Sequence, residues 1–351
     1  MNQTEKIKLI TDVFAPQPGE KILILVDTPH NQITVNPGWQ ERINMAHEWQ
    51  ELFQLIGQRN EFPDHVVDYL EFPATGINNS PLPPELLDKI SEYNLVCALT
   101  EFSASSSLKP LCNQPNLQFR VASMPGIEKR MEETSLKADY QLVKRYALAL
   151  QKLLNQSDSC DITFSTGDTL HLDLRNRTAQ ADKGECTTPG QFINFPSGEA
   201  FKVPYEAVKS EITQFGPSQT NGILPYKEND QLIKFVIKEN KITEIQGDNP
   251  LATKLREYLW QNPTRLNIAE LGLGCNPLAV VTGNILEDEK VGLHIAYGTS
   301  SHLGGQITSD IHQDIVYAQG CPVEGSSLVL NTTDNQKINL ITYSQLNYEL
   351  L

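Results

Sequence analysis

Lys21-Ile22-Leu23-Ile24-Leu25-Val26-Asp27, followed by Thr28-Pro29, is a run of five aliphatic residues between two charged ones, closed by a turn signal. It is too short for an ordinary helix and no polar residue interrupts it. It therefore reads as a strand buried on both faces, the mark of a parallel sheet covered by helices. Its surroundings agree. Residues 5–14 carry helical spacing and stop at Ala15-Pro16-Gln17-Pro18-Gly19. Further along come a helical pattern over 39–57, a strand over 65–72, a helix opened by Pro83-Pro84-Glu85 and a strand over 94–100. This alternation predicts an α/β N-terminal domain with a mainly parallel sheet.

Beyond residue 128 the order changes. Residues 128–155 read as one long helix, and residues 161–175 alternate apolar and polar side chains around Gly167-Asp168, as a hairpin does. A second hairpin is written in Leu232-Ile233-Lys234-Phe235-Val236-Ile237-Lys238, turned by Glu239-Asn240 into Lys241-Ile242-Thr243-Glu244-Ile245-Gln246. The expectation is a domain of residues 1–130 followed by a β-rich α+β catalytic domain of residues 131–351 that carries a metal site. A length of 351 residues suits two domains of ordinary size.

Composition narrows the function classes. With 28 Lys plus Arg against 43 Asp plus Glu, a formal charge of −15 lacks the basic footprint that phosphate backbones require, so no nucleic-acid partner is expected. The first residues lack the basic start and apolar core of an export signal, and the apolar runs are strand-sized, so a cytoplasmic protein without a membrane partner is expected. Six cysteines stand without any Cys-x-x-Cys spacing and read as reduced, mostly buried thiols.

The chemistry concentrates in the last third. His294, His302 and His312 fall within nineteen residues, although the chain has only seven histidines. A period-two strand sends His312 and Asp314 to the same face, roughly 7 Å apart at about 3.3 Å per residue. An isolated His-x-Asp is usually a core histidine with a surface carboxylate. Here the Gly-rich loop Ser300-Ser301-His302-Leu303-Gly304-Gly305 runs between two strand-like histidine segments, which points to a metal site. Imidazole and carboxylate donors suit zinc, cobalt, manganese or non-haem iron alike. Two upstream carboxylates join the candidates. Glu270 interrupts the apolar run Ile268-Ala269-Glu270-Leu271-Gly272-Leu273-Gly274, where a lone charge is costly unless paired or metal-bound. Glu199 follows the turn Pro196-Ser197-Gly198, where the plain alternative is a solvated glutamate. Gly272-x-Gly274 lacks the third glycine of a dinucleotide loop, no Gly-x-Ser-x-Gly or phosphate loop is present, and Cys275 reads as a small buried residue.

In their order, Arg120-Val121-Ala122-Ser123-Met124-Pro125-Gly126, Asn194-Phe195-Pro196-Ser197-Gly198-Glu199-Ala200-Phe201, Glu270-Leu271-Gly272-Leu273-Gly274-Cys275-Asn276-Pro277, Leu286-Glu287-Asp288-Glu289-Lys290, His294-Ile295-Ala296-Tyr297-Gly298 and Ile311-His312-Gln313-Asp314 resemble the thermophilic metallo-aminopeptidases, the group of aminopeptidase T and aminopeptidase S. The resemblance covers most of residues 120–320. It implies a homodimer in which two divalent ions (zinc, cobalt or manganese) activate a water that releases N-terminal residues from a peptide or small aminoacyl substrate. Carried over by motif, the ligands would be Glu199, Glu270, His294, His312 and Asp314, with His302 near the place of the family's tyrosine ligand. Glu199, Glu289 and His302 would be the candidates for proton transfer.

The resemblance also admits a second enzyme class, the ring-cleaving 2,5-dihydroxypyridine dioxygenases, which use one ferrous ion on two histidines and a carboxylate. His312 and Asp314 would serve either chemistry. The retention of both Glu199 and Glu270 favours the two-metal hydrolase. A third expectation is a relic of the metal site acting as a binding or structural protein.

Overall fold

Lys21–Thr28 is a strand with six consecutive buried residues, and it lies inside a five-stranded sheet. The order across that sheet is Val66–Pro73, Lys21–Thr28, Leu95–Leu99, Arg120–Ser123 and Phe192–Asn194, and every neighbouring pair is parallel. The unbroken aliphatic run thus has the physical cause expected of it. Leu23, Leu25, Val96, Ala98 and Val121 share a core with Leu108, Leu111 and Phe119. Phe14, Trp49, Phe53 and Phe195 form an aromatic cluster with ring centroids 5.6–6.4 Å apart. Arg120, 1% exposed, ties this region together. It grips both carboxylate oxygens of Glu20 at 2.7 Å and donates to the carbonyls of Phe14 and Cys186.

The computed structural model describes residues 1–30, 33–58, 65–114 and 116–351. The chain divides into one unit of Met1–Lys144, Asp182–Ser197 and Pro277–Val280 and another of Arg145–Ala181, Gly198–Asn276 and Val281–Leu351. No described helix is long and apolar enough to cross a membrane.

One element departs from expectation. The long helix over 128–155 is instead two short 3-10 turns, Lys129–Glu133 and Ser135–Lys137, followed by a helix over Tyr140–Asn155. Thr134 leaves the helical region at φ −123°, ψ −115°, and Ala138 is extended. Asp139 then starts the true helix, its side chain accepting from the Gln141 N–H at 3.0 Å. The Asp before the apolar-periodic residues was the readable start signal.

The second unit is antiparallel. Both expected hairpins are present, as Ser157–Phe164 with Thr169–Asp173 and as Gln231–Lys238 with Lys241–Gln246. Glu239 and Asn240 both take positive φ, as the tight turn of the latter requires. These strands belong to an eight-stranded sheet. A separate five-stranded sheet contains, side by side, His312–Val316, Leu293–Gly298, Ile268–Gly274 and Glu199–Lys202. Ile162, Leu172, Phe235 and Leu328 of the larger sheet share one apolar core with Ala200, Leu271, Leu273, Leu293, Ile295 and Ile315 of the smaller. The whole is a mixed α/β protein with one parallel sheet and two antiparallel or largely antiparallel ones.

Candidate metal centre

Period two decides where the functional side chains go. Leu271 and Leu273, Leu293 and Ile295, and Ile315 pack into the apolar core. Their neighbours Glu270, His294, His312 and Asp314 therefore share the opposite face of the sheet. Register then brings them together. Glu270 and Asp314 both pair with Ala296, one from each side, and His294 stands opposite Gly272. A register shift between Ile268 and Glu270 marks a bulge immediately before Glu270, a device that re-aims a side chain at a site.

Small residues make the room. A Cβ on Gly272 would lie 1.8 Å from Nε2 of His294, so only glycine lets the imidazole lie across that strand. A Cβ on Gly274 would meet the backbone of Glu289 and Lys290 at 2.4 Å. The Gly-x-Gly pair serves close approach of a ring and a chain, and its second glycine seats the Lys290 backbone against the strand.

Two overlapping donor sets result. Glu199, Glu270 and His294 form one, Glu270, His312 and Asp314 the other, with ligand atoms in each set within 4.8 Å of one another. Glu270 is shared. Its Oε1 lies 3.6 Å from Nε2 of His294 and its Oε2 lies 3.1 Å from Nε2 of His312. Asp314 Oδ1 is 3.5 Å from Nε2 of His312, and Glu199 Oε2 is 3.3 Å from Nε2 of His294. Each histidine turns its other nitrogen to a backbone carbonyl, His294 Nδ1 to Gly292 at 3.2 Å and His312 Nδ1 to Thr299 at 2.8 Å. A carbonyl only accepts, so Nδ1 carries the proton and Nε2 faces the carboxylates. That is the outer-shell arrangement typical of metal-ligating histidines.

The sets differ in exposure and charge. His312 and Asp314 side chains are 20% and 15% exposed, whereas His294 is buried. Lys290 is fully buried, and its Nζ lies 2.6 Å from Glu199 Oε1 and 2.7 Å from Glu289 Oε1. Burial alone would raise the Glu199 carboxyl, but Lys290 and His294 overcome it and hold it down at about 2. Burial likewise opposes ionisation of Glu270, which His294 and His312 hold down at about 2. Burial, with the Glu199 and Asp314 carboxylates, pushes Glu289 up to about 8 against the pull of Lys290. Burial would lower both histidines, yet their carboxylate neighbours raise both well above the usual range, so each Nε2 is a place that favours a cation.

The structure thus brings together Glu199, Glu270, His294, His312 and Asp314. His302 and Glu289 stand outside both donor sets. His302 is exposed on the 3-10 turn Ser301–Leu303, its ring edge-on to His312 at 4.9 Å between centroids. Cys275 is fully buried and belongs to neither set. Two features escaped the reading of the sequence. Lys290 was visible only as the end of a motif, and Glu206 carried no motif. Glu206, 5% exposed, accepts from Ser300 Oγ, from the Gln306 N–H at 2.7 Å and from Arg177 at 3.0 Å, pinning the loop between the two histidine strands.

Comparison with known proteins identifies the lineage of this site. The family model described as 2,5-dihydroxypyridine 5,6-dioxygenase matches residues 17–324. The 2,5-dihydroxypyridine 5,6-dioxygenase of Pseudomonas putida (strain KT2440) is 28% identical over 188 residues, 49% of this chain and 52% of that protein. The match thus spans about half the length of the curated relative. Among solved structures, 2,5-dihydroxypyridine dioxygenase from Pseudomonas putida KT2440 superposes with TM-score 0.68 and 16% identity, covering 99% of this chain and 98% of the other. Wild-type AmpT from Thermus thermophilus superposes with TM-score 0.62 and 13% identity, covering 98% of each. At such identities the two structures speak for the fold alone. The expected hydrolase is therefore corrected: the likeness to the aminopeptidase is one of fold, and the family model and curated relative both name a dioxygenase, an oxidoreductase and no peptidase.

Proposed function

The chain belongs to the 2,5-dihydroxypyridine 5,6-dioxygenase family, and from that premise we propose that it cleaves the ring of a dihydroxylated N-heteroaromatic, with one ferrous ion held by Glu270, His312 and Asp314. The observation that supports this most is the partial exposure of His312 and Asp314 beside the buried Glu270, a donor set with an open side. Imidazole and carboxylate donors take ferrous iron as they take zinc, cobalt or manganese, so the choice of iron rests on the family. The two carboxylates also match the charge of the ferrous ion. This set has one histidine fewer than the two-histidine, one-carboxylate arrangement expected for such enzymes, and Glu270 supplies the third donor in its place.

What the metal supplies when bound is one-electron chemistry between dioxygen and the electron-rich ring. The protein's part is positional. His312, steadied by the Thr299 carbonyl, presents Nε2 in a fixed orientation. In this reading His302, exposed and edge-on to His312, takes the proton of a substrate hydroxyl. The test is oxygen consumption by protein reconstituted with Fe(II) under exclusion of air and then mixed with 2,5-dihydroxypyridine in aerated buffer. One oxygen consumed per substrate lost is expected. Absence of uptake with this compound and with its ring-hydroxylated analogues would overturn the assignment.

A further inference from the structure

We propose that Phe201 is the ring platform of the site, the side chain against which a planar heteroaromatic substrate stacks beside Glu270, His312 and Asp314. The inference deepens the reading above and rests on it for the class of substrate. Period two places the residue. In the strand Glu199–Lys202, Ala200 packs into the apolar core behind the sheet, whereas Glu199 reaches His294 on the front. Phe201 therefore faces the front with Glu199. It is only half-buried, and it takes no part in the core that Ala200 and Leu271 share.

Register sets what the ring stands beside. Phe201 pairs with Gly272 from one side, and His294 pairs with the same glycine from the other. Because Gly272 has no side chain, the His294 imidazole lies across it, towards the strand that carries Phe201. Glu270 is the diagonal neighbour of Phe201 across the same two strands, a separation of about 7–8 Å that aromatic side chains bridge. A planar ring seated at the open side of the pocket needs a centroid separation of about 4.5–7 Å to stack offset or edge-on, and the diagonal supplies it. No other described aromatic on these four strands competes for the role. Tyr297 packs into the core behind the sheet. Ala296, which pairs with Glu270 and Asp314, and Val316, which pairs with His294, share the register of the donors but offer no ring.

The test separates ring contact from support of the donors. Protein loaded with Zn(II), a redox-inert probe, is titrated calorimetrically with 2,5-dihydroxypyridine and, separately, with oxalate, a chelating ligand that has no ring. Phe201→Leu keeps the apolar bulk and removes the ring face, and Phe201→Tyr keeps the ring. The leucine variant is expected to bind the pyridine about fivefold more weakly, the scale of one ring-on-ring contact, and the tyrosine variant within about twofold of the wild type. Oxalate and Zn(II) affinities should stay as they are in both. Unchanged binding of the pyridine by Phe201→Leu, an equal loss of oxalate or zinc affinity, or a wild type that binds no pyridine would each overturn the inference. Phe201→Met takes the place of the leucine variant should that variant not fold. Oxygen uptake separates the two proposals. Ring binding that follows this pattern in a protein that consumes no oxygen sinks the dioxygenase reading only, and an active protein whose KM is untouched by Phe201→Leu sinks only this one.

Discussion

At the end of the strand Lys21–Thr28, the Asp27 carboxylate is 1% exposed. It accepts from the N–H groups of Glu101 at 2.8 Å and Phe102 at 3.2 Å and from Trp39 Nε1 at 3.3 Å. Burial outweighs these bonds and pushes its pKa up to about 6. The folded state thus holds the proton more tightly than the unfolded chain. The stability it contributes is full below the unfolded value near 3.8 and is lost as pH rises through about 6. The change is about 3 kcal/mol, at about 1.4 kcal/mol per unit. Urea unfolding of wild type and Asp27→Asn at pH 4 and pH 7 checks this. The wild type should lose about 2 kcal/mol relative to the variant on going from pH 4 to pH 7, and a pH-independent difference would contradict it. His302 makes a different kind of prediction. If it takes the substrate proton, His302→Ala lowers kcat by about a hundredfold while leaving Zn(II) affinity unchanged. Such a result needs both steady-state rates and a zinc titration, since lost zinc would mean that His302 binds metal instead.

Among elements, the connection from Leu293–Gly298 to His312–Val316 carries the most consequence, because its Thr299 carbonyl orients His312. Glu206 holds this connection through Ser300 and Gln306 and is itself held by Arg177, which also pairs with Glu211 at 2.8 Å. Glu206→Gln removes the charge and one acceptor. We expect a loss of about 2–3 kcal/mol in urea unfolding, the scale of hydrogen bonds to a buried charged group. Zinc affinity should fall by about tenfold with every ligand intact, the usual effect of disturbing an outer-shell partner. Lost stability with unchanged affinity would show that the loop does not transmit to His312. The strand pattern that carries His312 and Asp314 was legible because period two is a local rule. Glu206 was not legible, since the partners that make it matter are 94 and 100 residues away. The broken helix over 128–155 was missed for the opposite reason: Asp139 was a local signal, outweighed by a continuous apolar periodicity.

For the whole molecule, the parallel and antiparallel parts could be read from the five aliphatic residues after Lys21 and from the two hairpins, whose turns and alternation are local. The gathering of Glu199, Glu270, His294, His312 and Asp314 was read through motif resemblance, and those side chains do converge. The chemistry was misread because imidazole and carboxylate donors serve hydrolases and oxygenases alike. Glu199 and Glu270 together suggested a two-metal hydrolase, and the match to the dioxygenase family model and curated relative overturned it. Every donor belongs to the second unit, and this gives a test at the scale of the molecule. Ligand binding stabilises only the states that retain the site. At a hundred times its Kd, Zn(II) contributes about 2.7 kcal/mol, which slows exchange of amides that open by unfolding the site about a hundredfold. Hydrogen exchange with and without zinc should therefore show the gain in Glu199–Lys202, Ile268–Gly274, Leu293–Gly298 and His312–Val316. Amides of Lys21–Thr28 and Leu95–Leu99 should not share it. Equal slowing in the parallel sheet would mean that the two units open as one, and no slowing in the four strands would mean that the ion binds elsewhere.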